Sequence, residues 1–151
     1  MTAPLTSAQQ AAVDALVAAG RLQQTSPDPA RASNFMTQAG DRISQLSVLA
    51  IDHVRYTVAY DAAHDVGEAL LAAYGYRTGN GAGHHAALGQ FVGIVVDTPP
   101  SAAREAANWE RHRRARNAQN YRAVTVGTAQ ADAVEEFARE LHRAATLKGV
   151  A

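Results

Sequence analysis

The sequence of 151 residues contains no cysteine and few aromatic side chains. The absence of cysteine excludes disulfide bonds, thiolate zinc sites and a cysteine nucleophile. Aromatic residues make up 6% of the chain and alanine supplies 34 residues, so large apolar side chains are sparse although 47% of the residues are hydrophobic. This composition favours helices that pack closely through small residues over a β-sandwich.

The sequence also lacks a net charge and any long apolar run. Fourteen basic and fourteen acidic side chains cancel, so an anionic partner has to be attracted by a local patch. No stretch approaches the roughly 18 uninterrupted apolar residues of a membrane span. The first residues, from Met1 to Pro4, lack the basic and apolar regions of a signal peptide. These absences predict a cytoplasmic protein that does not enter a membrane.

Hydrophobic residues recur at three- and four-residue steps along most of the chain, which is typical of amphipathic helices. The predicted helices cover about residues 7–20, with Ser7 as the cap, and then 29–49, 51–74, 84–96, 101–124 and 128–148. No segment shows the alternation of a strand. The sequence therefore predicts an all-α fold, with one domain over residues 1–151 built as a bundle of five or six helices.

The fifth predicted helix has an unusual concentration of arginine. Six arginines and two glutamates lie between Arg104 and Arg122, which leaves a local charge of +4 in a neutral chain. On a helix, Arg114, Asn117 and Tyr121 fall within about 60° of one another. Guanidinium groups bind phosphate bidentately, an amide can hydrogen-bond a ribose or a base, and a phenol can stack on a base. The alternative is a solvated basic helix whose arginine stems cover apolar surface.

Three segments follow one another in an informative order. RYTVAYDAAH continues into EALLAAYGY, a glycine-rich break leads to GHHAALGQF, and RRARNAQNY comes last. In this order, over about residues 40–143, the chain resembles the HEPN superfamily (higher eukaryotes and prokaryotes nucleotide-binding). The family's signature helix has an Arg, usually followed by Asn, four to six positions before a His. The resemblance implies a HEPN-like core, with the N-terminal helices of residues 7–49 packing on it.

The resemblance places the site on the arginine-rich helix. The residues that it implies for catalysis are Arg116, Tyr121 and His112, and those for binding RNA or a nucleotide are Arg113, Arg114, Asn117 and Asn120. Tyr121 stands where an active family member has His, and His112 precedes the arginine instead of following it. Because a phenol is a poor general base at neutral pH, ribonuclease activity is expected to be degenerate.

The histidines and the acidic residues of the central helix form two further polar patterns. The six histidines include no HExxH pair, and adjacent His84 and His85 project about 100° apart on a helix, so no metal site is predicted. On the central helix, Asp61, Asp65 and Glu68 share a stripe at three- and four-residue steps. We expect this stripe to face the arginine-rich helix and neutralise it.

The resemblance implies a homodimer that binds RNA or a nucleotide in a basic cleft between subunits. As an enzyme it would be a metal-independent endoribonuclease with a degenerate motif and no cofactor. The alternative function is a non-catalytic helical interaction module, or a toxin–antitoxin-type partner of a nucleotidyltransferase. A third reading is an unrelated helical bundle.

Overall fold

Seven α-helices and one two-stranded sheet form the part of the chain that the computed structural model describes, residues 1–81 and 83–151. The helices are α1 (Ser7–Ala18), α2 (Pro29–Gln45), α3 (Asp52–Tyr74), α4 (His84–Val95), α5 (Pro100–Ala107), α6 (Trp109–Arg122) and α7 (Thr128–Leu147). A 3₁₀ turn, Leu46–Val48, follows α2. The prediction of a mainly helical single domain is confirmed, whereas the count of five or six helices is wrong.

The additional helix arises because the predicted fifth helix breaks at Asn108. This residue has φ −89° and ψ 3°, and its N–H donates to the Glu105 carbonyl at 2.9 Å, so it ends α5 and precedes α6. The backbone leaves the helical region for this one residue. As a consequence, α6 begins with the indole of Trp109 directed into the core.

The prediction that the chain has no strand is also wrong. β1 (Leu22–Gln24) pairs antiparallel with β2 (Tyr76–Thr78), with Leu22 opposite Thr78 and Gln24 opposite Tyr76. Strands of three residues are too short to show an alternating pattern, and the partners lie more than 50 positions apart. Gly75 allows α3 to end there, because it adopts the left-handed conformation at φ 80° that links the helix to β2.

The first helix is capped one residue earlier than predicted. Thr6, and not Ser7, accepts a hydrogen bond from the Gln9 N–H at 3.1 Å, while the Gln9 side chain accepts one from the Thr6 N–H at 2.9 Å. The two reciprocal bonds form a capping box, which satisfies two backbone donors at the helix start.

The core is organised around α3, which packs against α2 on one side and α7 on another. Twelve residues of α3 are buried, and five of them are alanine. Phe91 of α4 and Phe137 of α7 supply the larger apolar groups of the core. None of the helices in the described residues is long and apolar enough to cross a membrane.

Helix α6 is attached to this core differently. Within it only Trp109 and His112 are buried. The Trp109 indole packs against two glycines, Gly67 of α3 and Gly89 of α4. A Cβ atom added to Gly67 would lie 3.2 Å from the indole ring, and a Cβ atom added to Gly89 would lie 2.7 Å from Cγ of Trp109. Trp109 also contacts Phe137 edge-on, with 5.5 Å between ring centroids. One aromatic anchor at its start therefore holds α6 beside α3 and α4.

Candidate functional site

A cleft of about 340 Å³ lies where α3, α4 and α6 meet. Its size is at the lower end of the range for small-molecule sites, roughly 300–1,000 Å³. The residues that line it are Tyr60, Asp61, His64, His85, Arg113, Arg116, Asn117 and Tyr121. Two guanidinium groups, two imidazoles, a carboxylate, an amide and two phenols thus converge on one concave surface.

The structure brings four of the seven predicted site residues to this cleft. They are Arg113, Arg116, Asn117 and Tyr121. Asn120 and Arg114 are exposed and do not line it. Arg114 lines a separate groove beside Gly89 and Gly93 of α4. Helical geometry puts Arg114 within about 60° of Asn117 and Tyr121, but its side chain turns to Glu110, to which its Nε donates at 3.0 Å.

Arg116 is held in a fixed orientation inside the cleft. Its Nη2 donates to Asp61 Oδ1 at 3.2 Å, and its guanidinium lies over the Tyr60 ring, 4.8 Å from the centroid. The ring of Tyr60 is buried, so the cation–π contact is largely shielded from water. Because Asp61 engages a single terminal nitrogen, the guanidinium keeps donors for an incoming anion.

Arg113 is positioned by a bidentate ion pair. Its Nε and Nη2 donate to the two oxygens of Glu110 at 2.8 and 2.6 Å, and Arg114 Nε donates to the same carboxylate at 3.0 Å. Hydrogen bonding from Arg113, which outweighs partial burial, lowers the pKa of Glu110 to about 2. The carboxylate is therefore charged at neutral pH, and its negative charge offsets the positive charge of one of the two arginines that it contacts.

The structure does not bring His112 to the cleft. This residue is 5% exposed, and its ring lies 4.6 Å from that of Phe137 on α7. Its carbonyl accepts a hydrogen bond from the hydroxyl of Tyr56 at 2.9 Å. Burial, followed by the charge of Arg111, lowers the pKa of His112 to about 4. A neutral imidazole inside the core packs as an apolar ring and does not meet a ligand in the cleft.

Two other histidines line the cleft, and neither is among the predicted site residues. His64 of α3 and His85 of α4 both line the cleft with the arginines. A helical wheel places His64 on the same face as Tyr60, four positions earlier. No spacing in the sequence relates His85 to α6, because their proximity arises from the packing of α4 against α6.

The acidic stripe of α3 divides between two partners. Asp61 pairs with Arg116, as expected. Asp65 instead accepts from Arg42 Nε of α2 at 2.8 Å. Glu68 lies 3.9 Å from Arg31, also on α2. One of the three carboxylates therefore faces the arginine-rich helix, and the other two attach α2 to α3.

No family model, curated protein or solved structure matches this chain.

Proposed function

We propose that the cleft binds the phosphate of a ribonucleotide, either free or within single-stranded RNA. The observation that carries this proposal is the convergence of Arg113 and Arg116 on one concave surface. Both guanidinium groups are already oriented by carboxylates, so little side-chain entropy is lost when a phosphate binds. Arginine forks match the geometry of phosphate oxygens.

The rest of the lining fits the other parts of a nucleotide. Tyr121 is 84% exposed at the rim of the cleft, and its ring offers a free face on which a base can stack. Asn117, one turn before Tyr121, provides a donor and an acceptor for a ribose or a base edge. We therefore assign phosphate binding to the arginines and contact with the nucleoside to these two residues.

Three arginines and two carboxylates in and beside the cleft leave a net charge of +1. Asp61 and Glu110 offset the charges of Arg116 and Arg113, while Arg114 adds a cation beside the cleft. Binding should consequently depend on salt, because each phosphate contacted releases condensed counterions.

The test measures the binding of a labelled 2′-O-methyl RNA oligonucleotide by fluorescence anisotropy over a range of salt concentrations. Arg116→Ala should weaken binding by about tenfold or more, since a charged hydrogen bond contributes roughly 1.5–3 kcal/mol. It should also flatten the salt dependence by about 0.7, the slope for one contact on a single strand. Adenosine monophosphate and the unlabelled oligonucleotide, added as competitors, distinguish a free nucleotide from RNA.

Arg139→Ala is the matched control. Arg139 lies on α7 in a surface pair with Glu135, outside the cleft, so the variant removes the same charge at another place. It should bind RNA as the wild type does. Binding that is independent of salt, or equally weakened in both variants, would overturn the proposal.

The HEPN resemblance adds a second subunit to this proposal. Tyr121 and Val124, at the end of α6, are large apolar residues that remain 84% and 50% exposed. A second copy that packs its own α6 against Val124 and one face of the Tyr121 ring would extend the cleft into a groove between subunits, and the other face of the ring stays open to a base. This homodimer is the arrangement in which a strand of RNA, rather than one nucleotide, could lie along the site.

A further inference from the structure

His64 and His85 occupy the cleft without a structural role in the contacts described above. They come from different helices, α3 and α4, and both line the cleft beside Arg113 and Arg116. A pair of imidazoles next to a phosphate-binding pair of arginines is the set of groups needed for acid–base chemistry on a phosphodiester.

The environment of His85 keeps its imidazole neutral. Partial burial lowers the pKa of His85, and the nearby charges of His84, His64, Arg113 and Arg116 lower it further. The ring of His84, 3.9 Å away between centroids, packs against it from the same helix. At neutral pH this imidazole can therefore accept a proton. His64 follows Asp61 by one helical turn on α3, and its ring faces the same cleft.

We propose that His85 and His64 act as the general base and general acid of an RNA-cleaving reaction in this cleft. The inference rests on the proposed binding of RNA. His85 removes the proton from a ribose 2′-hydroxyl, and the 2′-oxygen attacks the adjacent phosphorus. The bond from phosphorus to the 5′-oxygen breaks, and that oxygen takes a proton from His64. The products are a 2′,3′-cyclic phosphate and a 5′-hydroxyl, so the reaction needs no other reactant.

The arginines have a distinct task in this reaction. Negative charge grows on the non-bridging oxygens as the phosphorus becomes five-coordinate, and Arg113 and Arg116 are placed to stabilise it. This assignment replaces the histidine that the HEPN motif would have at position 121 with two histidines from other helices. The expectation of degenerate activity followed from Tyr121 at the motif position, because a phenol is a poor general base at neutral pH.

The experiment measures cleavage of a 5′-labelled single-stranded RNA by the full chain, in the presence of EDTA. Product ends are identified by mass spectrometry. His85→Gln and His64→Gln should each lower the cleavage rate by roughly 10²-fold or more, the usual range for loss of acid–base help. Both variants should bind the 2′-O-methyl oligonucleotide with affinity close to that of the wild type. That binding also shows that the variants are folded.

His53→Gln is the control, because His53 is an exposed histidine of α3 outside the cleft. It should cleave RNA at the wild-type rate. The wild-type cleavage rate should fall at low pH, as His85 becomes protonated, and His85→Gln should lose this pH dependence. These two results would distinguish proton transfer by His85 from a merely structural role.

The outcomes separate this inference from the proposed function. If the wild type binds the 2′-O-methyl oligonucleotide but does not cleave RNA, the acid–base assignment is wrong and the binding proposal stands. Cleavage that persists in both histidine variants also overturns the assignment. A wild type that binds no RNA overturns the binding proposal, and the inference fails with it.

Discussion

His112 illustrates how burial decides the chemistry of a histidine. In the native state it is neutral with a pKa of about 4, whereas the ordinary value is 6.5. Between these values the unfolded chain binds a proton that the folded protein rejects, so the free energy of unfolding falls as the pH is lowered from 6.5 towards 4. A shift of this size corresponds to about 3 kcal/mol.

We predict that His112→Gln removes this component of the pH dependence. The measurement is urea denaturation at several pH values between 7 and 4, with the free energy of unfolding compared between variant and wild type. The difference between the two proteins should change by about 3 kcal/mol over this range. His53→Gln, at an exposed site, should follow the wild type throughout. Parallel curves for His112→Gln and wild type would contradict the burial argument.

Tyr121 bears on the HEPN resemblance more directly than any other residue. It lines the cleft and its side chain is mostly exposed, so Tyr121→His changes the site without disturbing the core. The variant restores the family's spacing, with a His at the fifth position after Arg116. We predict that it raises the rate of RNA cleavage and retains activity when combined with His85→Gln, because a third imidazole is then available.

The same cleavage assay with Tyr121→Phe provides the comparison. The phenyl ring keeps the stacking surface and lacks the hydroxyl, so its rate should equal that of the wild type. Adding Arg116→Ala to Tyr121→His should abolish the gain. If Tyr121→His cleaves no faster than wild type, position 121 does not correspond to the family's histidine.

Two glycines of α4 provide a test at the scale of one helix. Gly89 gives the Trp109 indole its place, whereas nothing lies within 4 Å of a Cβ built on Gly93. We predict that Gly89→Ala destabilises the protein by about 1–3 kcal/mol through overpacking. Gly93→Ala, on the same helix, should instead stabilise it by about 0.5–1 kcal/mol, since alanine loses less entropy in a helix.

Thermal or urea denaturation of both variants checks this prediction. RNA binding by Gly89→Ala should also fall, because the indole anchors the start of the helix that carries Arg113 and Arg116. Equal stability of the two variants would show that the indole can move without cost.

The sequence predicted most helices because their apolar faces are periodic and local. The spans of α2, α3, α4 and α7 agree with the predictions to within a few residues. The break at Asn108 and the short sheet were not predicted because each depends on tertiary contacts. The break accompanies the packing of the Trp109 indole against Gly67 and Gly89, and the sheet depends on the pairing of Leu22 with Thr78. Local pattern has no information about such distant partners.

The site was predictable only on the helix that holds the motif. Asn117 and Tyr121 lie within about 60° of each other on α6 and Arg113 lies one turn before Asn117, which helical geometry gives directly. The burial of His112 could not be read from the sequence, since α6 has no clear apolar stripe. His85 was missed because it joins the cleft only through the packing of α4.

At the scale of the whole molecule, the proposed homodimer can be tested by sedimentation. We predict a dimer at micromolar concentration, with Val124 in the contact. Val124→Lys should shift the equilibrium towards monomer, because it places a further cation beside an arginine-rich helix that faces its own copy. Leu147→Lys, at the end of α7, adds the same charge to another exposed apolar residue and should remain dimeric. A wild-type monomer at this concentration would exclude the dimer groove.

The attachment of α6 by Trp109 and His112 has a consequence for the local stability of the protein. A helix with so little buried surface can open while α3 and α7 stay folded, so its amide hydrogens should exchange with solvent faster than theirs. RNA that binds the closed form alone must oppose this opening. At a free concentration of 100 times Kd it should slow exchange in α6 by about 100-fold and leave α7 unchanged. The amides of α6 would then report occupancy of the cleft without any label on the ligand.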